Sequence, residues 1–175
     1  FSYALNQMRT EDIRIQDSRE VPLDFHPRRQ NSRKTYEYRI YNSAFPMPVY
    51  RLYSHFTYVP LDVVSMQKAA EYLVGEHDFK SFCSVNTTAE TTVRTIYDIA
   101  VERAEELISI RITGSGFLYN MVRIIAGTLI EVGRGNWTPE RMERILQACD
   151  RAEAGPTAPA CGLTLVKYEL WGGRK

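Results

Sequence analysis

The chain has 175 residues, of which 44% are apolar and 25% charged, and its 22 Lys and Arg against 21 Asp and Glu leave a formal charge of +1. That is enough chain for one domain with a sizeable core, and the composition excludes a disordered or fibrous protein. So even a balance of charge neither requires nor excludes a polyanionic partner.

Phe1 and Ser2 lead straight into "YALNQM", which reads as the middle of a folded segment, so the chain is expected to be a piece of something longer. "DIRIQDSREV" (12–21) alternates Ile13 and Ile15 with polar neighbours, and "KTYEYRIYN" (34–42) does the same with Tyr36, Tyr38 and Ile40. A period of two predicts a strand at each. Between them, "DFHPRRQNSRK" has no hydrophobic period and reads as a basic loop. "PLDVVSMQKAAEYLVGEHDF" opens with Pro60 and Asp62, the latter suited to an N-cap. It carries Val63, Met66, Ala69, Ala70 and Leu73 at helical spacing and stops at Gly75.

"VRTIYDIAVERAEELISIRITGSG" reads as two alternating runs, Val93 to Glu102 and Leu107 to Thr113, joined at "RAEE" into an antiparallel hairpin. "FLYNMVRIIAGTLIEVG", from Phe117, is too densely apolar for a surface helix and reads as one buried on most sides. "TPERMERILQACD" predicts a second helix with Thr138 as N-cap and Pro139 at the first helical position; Arg141 stands where a full capping box would want an acid or amide. "EAGPTAPA" is an ordered loop or short linker, and "GLTLVKYEL" returns to strand alternation. From residue 34 onward, with the second of the adjacent helices counted as an insertion, the order is that of an α+β, ferredoxin-like antiparallel sheet with helices on one face. The strand at 12–16 is left over and needs a partner elsewhere.

Cys83, Cys149 and Cys161 are odd in number and never spaced C-x-x-C, which fits free thiols in a reducing compartment. His26, His55 and His77 fall at no metal-ligand spacing, so no metal is expected. No run approaches the roughly 18 apolar residues of a membrane span, and the first twenty residues carry charges where a signal peptide needs an apolar core. A cytoplasmic location away from membranes is the expectation.

Two places invite chemistry. From Arg28 through Arg29, Arg33 and Lys34 to Arg39, five basic residues stand against one acid, Glu37, with Tyr36 and Tyr38 interleaved. Such a run can track a phosphate backbone while an aromatic face stacks on an unpaired base; equally, it can be a solvated loop beside a strand whose tyrosines belong to the core. The second place is Arg123, a guanidinium inside "GSGFLYNMVRII" (114–125). A buried charge has to be paired, and its helix neighbours Tyr119, Asn120, Ala126 and Gly127 supply no carboxylate. A structural salt bridge to Asp78 or to an acid near Glu131 is one answer; an anion from a ligand is the other. "GSGFLY" lacks the third glycine and the strand context of a phosphate-binding turn, and reads as a tight strand-to-helix connection.

"GFLYNMVRIIAGTLIEVGRG" followed by "AGPTAPACGLTLVKYEL" resembles the C-terminal half of TruA-type tRNA pseudouridine synthases. "FHPRR", "KTYEYRIYN", "AAEYLVGEHDFKSF" and "VRTIYDIAV" resemble further segments of that family in the same order, so the likeness spans almost the whole chain. Departures are small: Arg9 and Thr10 stand where the family usually has Leu-Pro, and Ser115 where Asn is common. The resemblance implies the pseudouridine synthase fold, with residues 1–33 as the tail of an N-terminal domain plus the basic connecting loop and 34–175 as the C-terminal domain. It also implies tRNA as partner, a homodimer, no cofactor, and isomerisation of uridine to pseudouridine in the anticodon stem-loop.

Carried over residue by residue, Arg123 resembles the arginine that pairs with the catalytic aspartate, Tyr36 the tyrosine that stacks on the target uracil, and Leu163 the leucine of the pocket wall. Arg28, Arg29, Arg33 and Lys34 would hold the tRNA backbone. The aspartate itself sits in an R-T-D-A-G-V-H type motif that this chain lacks, since "RTED" (9–12) and "RTIYD" (94–98) have no such continuation. The chain is therefore expected to be inactive by itself. The competing expectation is a non-catalytic RNA-binding module of ferredoxin-like fold. Against it, "LISIRITG" carries no aromatic residue where an RNA-recognition motif needs several.

Overall fold

A computed structural model describes residues 1–27, 31–84 and 89–171. By its internal contacts the chain divides into two units, Phe1–Gln30 and Asn31–Lys175. The smaller unit holds helix α1 (Ser2–Gln7) and an irregular stretch after it. The strand expected over 12–21 does not form. Ile13 is 51% exposed, and the backbone of Ile15 is bonded by the side chain of Asn6, whose Oδ1 accepts from Ile15 N at 2.8 Å and whose Nδ2 donates to Ile15 O at 2.9 Å. An amide side chain thus takes the place of a neighbouring strand for one residue, which does not extend into a ladder.

In the larger unit, alternation carries β1 from Asn31 to Asn42, beginning before the predicted residue 34. The other strands are β2 (His55–Thr57), β3 (Gly75–Asp78), β4 (Val93–Ala104), β5 (Leu107–Gly114) and β6 (Leu163–Trp171). β1 lies between β5 on one side and, on the other, β6 along Asn31–Tyr38 and β2 along Ile40–Asn42; β4 and then β3 continue beyond β5. All pairings are antiparallel except β1 with β2. The order β6-β1-β5-β4, with α2 (Val63–Glu71) and α3 (Met121–Gly133) as the crossovers, is the split βαβ arrangement. β2 and β3 have three and four residues, too few to show a period, and β3 has no large apolar residue.

One face of the sheet is apolar: Tyr38 and Ile40 of β1, Ile108, Ile110 and Ile112 of β5, and Ile96, Ile99 and Val101 of β4 are all buried. α3 packs against β1 and against α2, α2 packs on β4, and α4 (Arg141–Ala148) leans on α2. α2 starts where expected, with the Asp62 carboxylate accepting from Val64 N and Ser65 N. α3 starts later than the pattern predicts, at Met121 instead of Phe117. Asn120 is left-handed (φ 60°), and a residue there cannot propagate a right-handed helix. α4 also starts late, because the Thr138 and Pro139 carbonyls accept from Arg141 N and Met142 N in a tight turn. The Thr138 hydroxyl bonds to the Glu140 carboxylate and caps no amide.

Candidate active site

Every residue of α3 is buried except Arg123 and Glu131. Arg123 is half-buried and held from two sides. Its Nε donates to Ala158 O at 2.7 Å and its Nη1 to Asn120 Oδ1 at 3.1 Å, while Ala158 N returns a bond to Arg123 O at 3.1 Å. The loop 154–159 reaches this close because of two glycines. A Cβ on Gly127 would collide with the carbonyl of Pro156, and one on Gly155 would lie 2.7 Å from Thr128 Cα. Gly155 N then donates to Thr128 Oγ1 at 3.0 Å, and the hydroxyl passes its own proton to Ile124 O at 2.8 Å.

Among the described residues no carboxylate pairs with Arg123. The two partners considered from sequence are otherwise engaged: Asp78 accepts from Lys80 N at 3.0 Å, and Glu131 binds Arg134 at 3.1 Å and Asn136 at 2.7 Å. Both holders of Arg123 are neutral acceptors, so the guanidinium is oriented without being neutralised.

Arg123, Tyr36 and Leu163 come together as walls of one pocket of about 290 Å³, completed by Phe117 to Val122. Tyr36 and Leu163 come from adjacent strands: Tyr36 pairs with Leu165, and Tyr38 with Leu163. The β1–β6 register slips between Thr35 and Tyr36, leaving Val166 as an extra residue, and bulges of this kind re-aim side chains beside sites. The Tyr36 ring meets Phe117 edge-on, with centroids 5.1 Å apart at 85°, so its orientation is set by a neighbour. Next to it, the Tyr38 hydroxyl donates to Pro159 O at 2.8 Å; burial pushes this phenol far above its usual value, with Cys161 adding to the rise and Arg123 opposing it. It is a fixed donor that anchors the same loop.

The basic run is used unevenly. Arg28 and Arg29 lie outside the described residues. The Arg33 guanidinium sits 4.9 Å above the ring of Tyr97, and Lys34 Nζ 5.3 Å from that of Tyr168. Arg39, counted with the run in sequence, is spent on Glu37 at 2.6 Å, and Arg111 holds the other carboxylate oxygen at 3.0 Å. Sequence reading missed Asn120, Ser84, Phe117 and the Ala158 carbonyl. A hint existed for Asn120 alone, an Asn just before a dense apolar run.

The pocket therefore offers a planar ring, an apolar wall and a cation aimed by neutral groups. It can accept a flat base together with an anion, but its own lining supplies no carboxylate, imidazole or thiol. The family model described as tRNA pseudouridine synthase matches residues 69–169, from the last turn of α2 to near the end of β6. The chain belongs to that family. The tRNA pseudouridine synthase A of Acetivibrio thermocellus is 48% identical over 167 residues, covering 95% of this chain and 68% of the relative. The proteins of the same name from Caldicellulosiruptor bescii and Brevibacillus brevis are 46% and 47% identical, with 68% and 67% of their lengths covered. The chain thus spans about two thirds of the length of these curated relatives. Nothing in the site or the relatives favours the alternative of a non-catalytic RNA-binding module of ferredoxin-like fold: the open face of β5 presents Ser109, Arg111 and Thr113, none of them aromatic.

Proposed function

We propose that this chain brings Arg123, Tyr36 and Leu163 to the active site of a tRNA pseudouridine synthase whose catalytic aspartate comes from outside residues 1–175. The observation that carries the reading is a guanidinium held by two neutral acceptors beside a base-sized aromatic pocket, with no carboxylate among the described residues to meet it. In this reaction the C1′–N1 bond of uridine breaks, the uracil turns over, and a C1′–C5 bond forms. C5 loses its proton and N1 gains one. The change is an isomerisation, so electrons balance with no cofactor. The aspartate acts on the sugar or the base as an ionised group, and a neighbouring guanidinium keeps it ionised and aimed. Tyr36 and Leu163 give the uracil a replacement for the stack it leaves in the anticodon stem-loop.

On the same reading, Arg33 and Lys34, with Arg28 and Arg29, contact the tRNA backbone, and the protein works in the cytoplasm. Residues 1–33 are the tail of a preceding domain and 34–175 the domain described here. A homodimer completes the proposal, and one surface supports it. Between residues 43 and 60 the only charged side chain is Arg51, and Phe45, Val49, Leu52, Tyr53 and Tyr58 are all at least 60% exposed. Together with Met47 they present on the order of 700 Å² of largely apolar side chain, close to the 800 Å² or so that each partner buries in a stable complex. An apolar cavity of about 520 Å³ opens in the same segment, lined by Tyr41, Met47, Tyr50, Phe56, Pro159 and Cys161.

The test is tritium release from tRNA labelled at C5 of uridine, with the chain alone and with the chain mixed with a polypeptide carrying the R-T-D-A-G-V-H segment. Release in the mixture alone is expected. Within the active mixture, Arg123→Ala should lower turnover by about 10²–10³-fold with tRNA binding little changed. Tyr36→Ala should weaken both, by about 1–3 kcal/mol for the lost stack. Release by the chain alone would place the carboxylate within residues 1–175 and overturn the reading.

A further inference from the structure

We infer that Asn120 is a positioning residue, acting through Arg123 by way of its side-chain amide; the inference rests on the reading that Arg123 receives the catalytic carboxylate. An Asn at the start of a helix ordinarily spends its side chain on capping the amides of the first turn. Asn120 makes no such bond. Its Oδ1 accepts from Arg123 Nη1 at 3.1 Å, and its Nδ2 donates to Ser84 Oγ at 3.0 Å. Ser84 is itself tied to the same turn, since its N donates to Tyr119 O at 3.3 Å. The amide therefore links the segment after the short 3-10 turn Lys80–Phe82 to the guanidinium at the pocket wall.

The backbone supports the same assignment. At φ 60° and ψ 6° the residue is in the left-handed region, which Asn enters more readily than other side chains apart from Gly. In that conformation Asn120 sits three residues before Arg123 and lines the same pocket. With Ala158 O on Nε and Asn120 Oδ1 on Nη1, two points fix the plane of the guanidinium, and the remaining N–H groups are left for an incoming anion. Chemical neutrality is essential to the device. A carboxylate in place of the amide would hold Arg123 equally well and would occupy the charge that the catalytic aspartate needs.

The test uses the active mixture with tRNA together with nitrogen-15 NMR of the Arg123 Nε–H in the chain alone. Asn120→Gly keeps the left-handed backbone without strain and deletes the amide. It should lower kcat by about 10²-fold, as expected when a reacting group is misplaced, with KM within about twofold. It should also speed solvent exchange of the Arg123 Nε–H. Asn120→Asp should lower kcat as well and, unlike Asn120→Gly, move the acid limb of the kcat/KM profile to higher pH, because the catalytic carboxylate then shares Arg123. A residue that merely stabilised the turn would leave that limb in place. Turnover within about twofold of the unsubstituted protein in both variants, or an Nε–H signal indifferent to Asn120→Gly, overturns the inference. If the unsubstituted mixture fails to turn over, the proposed function has failed, and the NMR comparison still decides whether Asn120 holds Arg123.

Discussion

Glu37 shows at the scale of one residue how the open face of the sheet carries charge. It is 4% exposed, with one carboxylate oxygen on Arg39 and the other on Arg111, both guanidiniums about half exposed. Burial pushes its pKa up, but the hydrogen bonds from Arg111 and Arg39 and their charges outweigh it, so the group titrates below its ordinary 4.5. A carboxyl lowered on folding contributes stability above the unfolded value and loses it as pH falls through the folded one. Glu37→Gln should therefore lower stability at pH 7 by about 1–2 kcal/mol, the charge-assisted bonds being discounted for the exposed partners. In urea unfolding across pH, the gap should close below the carboxylate range. A gap unchanged at pH 2 to 3 would mean that shape, and not charge, is what the site needs. In sequence this residue was only the lone acid in a basic run; Arg39 is its neighbour two residues along the same strand, but that Arg111 takes the other oxygen depends on a pairing across strands, with Glu37 opposite Arg111.

At the scale of elements, α3 and the loop 154–159 behave as one part. The apolar density of residues 117–133 announced a helix buried on most sides, and α3 exposes little beyond Arg123 and Glu131. The pattern could not place its first residue, because the stop lies in one left-handed torsion at Asn120. "EAGPTAPA" reads as an ordered loop or short linker, and it is the ordered loop: Ala154 and Ala158 are buried and the Ala158 carbonyl is a holder of Arg123. Gly127→Ala separates packing from propensity. In an isolated helix the change would stabilise by about 0.8–1 kcal/mol. Here the added methyl meets the Pro156 carbonyl, so a net loss of about 1–3 kcal/mol is expected in denaturant unfolding, together with a shifted Arg123 Nε–H signal. A more stable variant would show that the loop yields freely.

For the whole molecule, the decisive surfaces are the pocket around Arg123 and the apolar patch at 43–60, which draw on different residues of β1. Tyr36 belongs to the first, and Tyr41, beside β2, to the second. The self-association proposed above can thus be measured without touching the chemistry. By sedimentation at micromolar concentration the chain is expected to be a dimer, and Phe45→Asp to be a monomer with an unchanged circular dichroism spectrum. A monomeric unsubstituted chain would remove the two-fold arrangement and leave the Arg123 reading intact.

By itself, the sequence determined the elements whose pattern is local. Period-two alternation located β1, the β4–β5 hairpin and β6, helical spacing with Asp62 located α2, and long motifs in order led to the family and to Arg123, Tyr36 and Leu163. It misjudged residues 12–21, where alternation was present but a strand also needs a neighbour to take its N–H and C=O groups. It was silent on β2 and β3, which are shorter than any period. Only the tertiary structure decided what Arg123 touches. The partners of a guanidinium are chosen by whichever backbone and amide oxygens the fold brings within about 3 Å, and Ala158 lies thirty-five residues away along the chain from Arg123. A helix pattern shows that a charge lies in an apolar run; closing the loop onto α3 shows that it is held by neutral groups.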